Sequence, residues 1–195
     1  MMTLAPLAEP AREPVLLAEA KARLRIDHDA DDARIGALIV AARCHAEEYL
    51  RRSLITRPWR LVRDRWPTAD RGLVLPRAPL RSVEAVRRRA PDGVWATLDP
   101  GDYRVETAPE PGFLLPATGK RFPPTDGRAG AITIDFTAGY GDDWNAVPAP
   151  IREALLMIIA ELYEEGPSAP GPIVGTIRSL LSPYRLIGLD AVGGR

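Results

Sequence analysis

Apolar residues recur every three or four positions in three stretches of this chain, and alternate with polar ones between the second and third. Ile35, Leu38, Ile39, Ala42, Ala46, Tyr49 and Leu50 share one side of a helical period, which predicts a long amphipathic helix from Asp31 to Arg52. Carboxylates open it, and Asp29 or Asp31 suits both the cap and the positive end of the helix dipole. A shorter face of Leu17, Ala20, Leu24 and Ile26 predicts a helix over 16–26. The strongest helical signal is Ile151, Ala154, Leu155, Ile158, Ile159 and Leu162, within a helix expected over 148–165. Proline at its first turn costs no hydrogen bond, and Gly166-Pro167 ends it.

From Leu54 to Asn145, prolines and glycines punctuate short alternating runs. Strands are expected at 58–65, 73–75, 82–89, 94–98, 103–107, 113–115 and 131–137. Ala90-Pro91-Asp92-Gly93 joins the third to the fourth as a hairpin, because proline presets the first turn dihedral and glycine accepts a positive φ. Trp59, Trp95, Tyr103, Phe113 and Phe136 are the expected core of this region.

The predicted fold class is therefore α+β: a small helical bundle with an inserted antiparallel β subdomain and an extended C-terminal arm. Residues 1–14, with three prolines and no periodicity, are expected to be a loose N-terminal arm. Residues 15–53 and 147–166 form the bundle, 54–146 the β subdomain, and 167–195 a linker and C-terminal arm. Within that arm, Ile177 to Leu181 reads as a short apolar helical turn.

Composition fits a folded protein, with 46% apolar and 27% charged residues in a chain of 195. No apolar run approaches the roughly 20 residues that span a membrane. The first 14 residues lack the basic-then-apolar order of a signal peptide, so synthesis and use in the cytoplasm are expected. The formal charge is zero but unevenly spread. Residues 1–50 hold 6 basic and 9 acidic side chains, 51–90 hold 12 and 3, 91–150 hold 4 and 9, and 151–195 hold 4 and 5. A basic block beside acidic ones suits head-to-tail association of identical copies, contact with nucleic acid, or a solvated arginine-rich sheet surface.

Candidate chemistry is sparse. Cys44 excludes an internal disulfide and reads as a small buried or half-buried thiol on the second helix. His28 and His45 have no nucleophile elbow to complete a triad, and too few partners for a zinc site. Asp27, Asp29, Asp31 and Asp32 begin like a calcium loop, but Asp32 stands where the loop needs glycine and Leu38 where it needs glutamate. Gly139-Tyr140-Gly141 lacks the lysine of a phosphate loop. No enzyme, metal or cofactor is expected. Arg81, Arg87, Arg88 and Arg89 are candidates for DNA or inter-subunit contact, although consecutive residues on a strand point to both faces.

Four stretches, in order, resemble one family. They are Leu17 to Asp29 with Asp31 to Ile35; Ala41 to Arg43 through Glu47 to Tyr49, then Arg52 to Thr56 and Trp59; Leu75 to Val83 with Asp102 to Val105; and Phe136 to Gly141 with Val147 to Leu155. Together with Leu181-Ser182-Pro183-Tyr184-Arg185, they resemble the head–tail connector or adaptor proteins of tailed bacteriophages and gene transfer agents. The resemblance implies a structural subunit of the particle neck, assembled in the bacterial cytoplasm. It implies a closed ring of about twelve copies under the portal protein, followed by a stopper or tail-terminator protein, with DNA passing through the channel. It makes Ile177, Leu180, Leu181, Tyr184, Arg185 and Leu186 portal-contact candidates on a tethered segment, unless that segment folds back on its own bundle. The competing reading is a DNA-binding or packaging module that uses the arginine-rich block 51–90. Phage and gene transfer agent are not distinguished at this level.

Overall fold

The computed structural model describes residues 1–67, 72–165, 173 and 175–187, and it divides into a β unit and a helical unit. The β unit takes Met1–Glu9 and Thr56–Gly139; the helical unit takes Pro10–Ile55 and Tyr140–Ile187. The architecture is α+β, with four helices and two antiparallel sheets among the described residues.

In the β unit, β1 (Met2–Pro6), β2 (Arg57–Arg63), β4 (Leu80–Arg89), β5 (Trp95–Thr97) and β8 (Ile132–Ala138) form one sheet in the order β1-β2-β8-β4-β5. The strands β3 (Leu73–Leu75), β6 (Tyr103–Glu106) and β7 (Gly112–Pro116) form a second sheet, ordered β3-β7-β6. Side-chain alternation sends Leu61, Val86, Ile132, Ile134 and Phe136 from the first sheet, and Leu73, Leu75 and Leu114 from the second, into one apolar core. Two features differ from the sequence expectation. The first residues are not a loose arm: Met2 to Pro6 pair with Arg63 to Trp59, which satisfies the outer side of β2 and packs Leu4 against the core. Pro6 closes the strand at a sheet edge, where its missing N–H is tolerated. The expected aromatic core is also thinner. Trp59 and Phe136 are buried, Tyr103 and Phe113 only in part, and Trp95 is exposed on the edge strand. In β7 the buried positions are Gly112 and Leu114, so alternation turns Phe113 away from the core.

In the helical unit, α1 (Leu17–Leu24), α2 (Asp32–Leu50), α3 (Ala149–Glu165) and α4 (Gly175–Leu181) bury Ala20, Ile35, Ile39, Ala42, Leu50, Ile151, Leu155, Ile158, Ile177 and Leu181 in a second core. The Glu19 carboxylate accepts from the Leu16 N–H and starts α1, and Arg51 takes a left-handed φ of 58° to stop α2. Leu54 and Ile55, expected in the β subdomain, pack with the helices. The acids before α2 do not cap it through their side chains. Lys21 bridges Asp29 (2.6 Å) and Asp32 (2.7 Å), and Asp31 accepts from the Tyr163 hydroxyl at 2.7 Å. Cys44 is exposed rather than buried, because Arg43 takes the inward position beside it.

Arg43 is 1% exposed, and two carboxylates hold it: Glu13 at 2.8 Å and Glu47, one turn along α2, at 3.4 Å. Burial works against its charge, but the hydrogen bond it donates to Glu13 and the charges of Glu13 and Glu47 outweigh it and raise its pKa. Glu47 also accepts from the Leu54 N–H at 2.8 Å, so one network ties residues 10–16 and the turn after α2 to the helix. Arg43→Leu removes a buried guanidinium from the Glu13 and Glu47 carboxylates and is expected to cost about 3–5 kcal/mol in urea unfolding. A loss under 1 kcal/mol would show that the network is dispensable. A smaller effect is expected in the β unit. A Cβ at Gly112 would collide with the Leu80 side chain and come within 3.0 Å of the Glu106 carbonyl. Gly112→Ala should lower unfolding stability by about 1–3 kcal/mol, and an unchanged midpoint would contradict this close packing.

Candidate assembly surfaces

The portal-contact candidates lie on α4 and the turn after it, and most face inward. Ile177 and Leu181 are buried in the helical core, Leu180 and Tyr184 are half-buried against it, and Leu186 is buried. The Leu186 N–H donates to the Leu50 carbonyl at 3.0 Å, and the Arg52 guanidinium donates to the Tyr184 carbonyl. Arg185 lies over the Tyr49 ring at 4.8 Å. The described part of the expected arm therefore folds back on its own bundle, because Ile177 and Leu181 one turn apart present an apolar face that α3 can cover. Leu180, Tyr184, Arg185 and Ile187 keep exposed surface in this state. The rest of the predicted arm and linker lies outside the described residues.

The arginines of β4 are dispersed rather than pooled. Arg81 donates to the Gly139 carbonyl at 2.8 Å and Arg88 to the Pro124 carbonyl at 2.8 Å. Arg89 pairs with Asp126 at 2.5 Å. Arg87 turns to the opposite face from Val86 and meets Asp135 of β8 at 2.7 Å. Arg60 of β2 grips the same carboxylate with two hydrogen bonds, 2.6 and 2.8 Å. Asp135 thus sits between two guanidiniums on three adjacent strands, a cross-strand cluster that sequence reasoning missed. Its only sequence signal is an acid at an alternating position of a β-branched run, Ile132 to Thr137. The Arg60 hydrogen bonds, with Arg87, hold the Asp135 carboxyl below the ordinary aspartate range against the opposing effect of burial.

Among the described residues, no group of three or more His, Cys, Asp or Glu side chains is placed to hold a metal ion, and no helix is long and apolar enough to cross a membrane. Many surface charges are paired within the chain, on sheets and helices alike. Sequence comparison matches a head–tail connector family, and structure comparison matches chains from gene transfer agent particles. The model of the phage gp6-like head-tail connector protein family matches residues 15–86. A chain from the neck of an empty gene transfer agent particle computed with C6 symmetry is 28% identical, with TM-score 0.81 and 99% of each chain covered. A chain from the virion of a native gene transfer agent particle is 27% identical, with TM-score 0.79 and 98% of each covered. A chain from the neck of a native particle computed with C12 symmetry is 27% identical, with TM-score 0.73 and 99% of each covered. Among curated proteins none matches the sequence. The resemblance seen in the sequence thus extends over the whole fold.

The Asp135 cluster carries a pH signature. A carboxyl whose pKa is lowered on folding adds stability above its unfolded value of about 3.9, and loses that contribution as pH falls through the lower folded value. Asp135→Asn should cost about 1–2 kcal/mol at pH 7, a modest figure because both arginines keep substantial access to water. In urea titrations at several pH values, the gap to the unmodified protein should close below pH about 4. A gap that stays constant down to pH 3 would mean that the charge of Asp135 is irrelevant.

Proposed function

We propose that this chain is a structural subunit of the neck of a gene transfer agent or phage-like particle, where a ring of its copies joins head to tail. One observation carries the reading: the chain matches a neck chain over 99% of both lengths at TM-score 0.81 and 28% identity. Agreement over two different units and their connections is far more specific than a shared motif. The finer parts of the proposal are a portal protein on one side, a stopper or tail-terminator on the other, about twelve copies and DNA in the channel. The subunit does this work without catalysis. Portal contact falls to the surface that the packed C-terminal segment leaves open, namely Leu180, Tyr184, Arg185 and Ile187. Engaging Ile177 and Leu181 directly would require α4 to leave the core that now covers it. Pairing of Arg81, Arg87, Arg88 and Arg89 with internal partners weighs against a dedicated DNA-packaging module, since each phosphate contact would compete with an existing bond.

Particles made by a strain lacking this chain test the reading. The expected result is heads without attached tails, restored when a tagged copy is supplied, with the tag located at the neck by electron microscopy. Complete, tailed particles in its absence would overturn the proposal.

A further inference from the structure

The five-stranded sheet has two open edges. Among the described residues no strand pairs with the outer side of β1 or of β5. Natural sheets guard such edges with charge, proline or bulges, because a free row of N–H and C=O groups recruits another strand. In the second sheet, edge strand β6 carries Arg104 and Glu106. In the first, Pro6 blocks only the end of β1 and β5 is short, but neither edge carries charge: β1 reads Met-Thr-Leu-Ala-Pro and β5 reads Trp-Ala-Thr. Five of the eight large apolar side chains exposed among the described residues lie on or beside these two edges: Met1, Met2, Leu7, Val94 and Trp95.

Strand direction adds a constraint. Every pair in the sheet is antiparallel, so in the order β1-β2-β8-β4-β5 the two outermost strands run the same way. Thr3 and Ala5 of β1, and Trp95 and Thr97 of β5, are exposed on the sheet face opposite the core. Similar chains come from necks computed with C6 and C12 symmetry, and such rotations turn a strand through about 60° at most, which cannot reverse it. We propose that the β1 edge of one copy pairs, in parallel, with the β5 edge of the next, so that a continuous sheet runs around the ring. This is a heterologous contact, which propagates from copy to copy and closes when the rotation allows. Pairing of β1 with β1 across a two-fold axis would instead be antiparallel and would stop at a dimer. The inference rests on the neck-subunit reading.

Adjacent strands lie roughly 4.8 Å apart, within disulfide reach for residues on a common face. The test uses assembled particles in which Cys44, exposed on α2, is replaced by Ser. Thr3→Cys or Ala5→Cys is combined in turn with Trp95→Cys or Thr97→Cys, and the particles are oxidised and run on a denaturing gel. At least one combination should give a ladder of covalent multimers, while the single variants give none. Variants present in the neck in normal amount, yet monomeric in all four combinations, overturn the edge contact and leave the neck reading intact. Dimers from a β1 cysteine alone overturn it in favour of two-fold pairing. Absence of the Cys44→Ser parent from particles that otherwise assemble overturns both.

Discussion

A guanidinium withdrawn from water must carry its counter-charge with it, and the helical unit is arranged around that requirement at Arg43. Glu47 supplies one carboxylate from the next turn of α2, and Glu13 supplies the other from the segment before α1. Because Glu47 also accepts the Leu54 N–H, the same cluster fixes where the chain goes after α2 ends at Arg51. An apolar replacement of the whole cluster could match its contribution to stability. What apolar residues could not do is specify which backbone N–H and which upstream carboxylate must meet the helix. In a subunit that has to present the same surface in every copy, that registry has a use beyond stability.

The β unit meets a similar electrostatic demand at its surface. Asp135 on the middle strand of the large sheet accepts from Arg60 on one neighbour and Arg87 on the other. The three strands are thereby held laterally on the face opposite the core, while Leu61, Ile134 and Val86 hold them from within. The basic block of residues 51–90, which reads as a cationic patch along the chain, is to this extent neutralised by acids from the acidic block that follows it. Charge segregation along a sequence does not imply segregation on the surface when antiparallel pairing brings the two blocks together.

The element order was legible because it rests on local periodicity. The three main helices and all seven strands expected between residues 54 and 146 are present within a few residues of their predicted ends. Less was legible where a tertiary partner decides. Met2 to Pro6 carry no strand signal strong enough to outweigh three nearby prolines, and only the open side of β2 makes them a strand. Trp95 looked like core by its chemistry, yet its place on a three-residue edge strand leaves it exposed. Arg43 lies beside the apolar stripe of α2, where a long cation normally reaches for water; its burial depends on Glu13, thirty residues upstream. Of the candidate arginines, Arg87, Arg88 and Arg89 lie in the expected strand, but the carboxylates that engage Arg87 and Arg89 come from elsewhere in the chain and could not be paired by spacing.

The C-terminal segment shows how assembly contacts and folding contacts compete for the same side chains. Ile177, Leu181 and Leu186 are the most apolar residues available near the end of the chain, which made them candidates for a partner's groove. The same property makes Ile177 and Leu181 the cheapest way for the bundle to cover α3 when no partner is present. Two hydrogen bonds, from the Leu186 N–H to the Leu50 carbonyl and from the Arg52 guanidinium to the Tyr184 carbonyl, then fix the segment in cis. A partner that bound through those buried side chains would have to replace both the apolar contact and the hydrogen bonds before gaining anything. A partner that bound through Tyr184, Arg185 and Ile187 would meet a surface already ordered, and would lose little conformational entropy in using it. The described segment is thus a packed part of the helical unit and not a free arm.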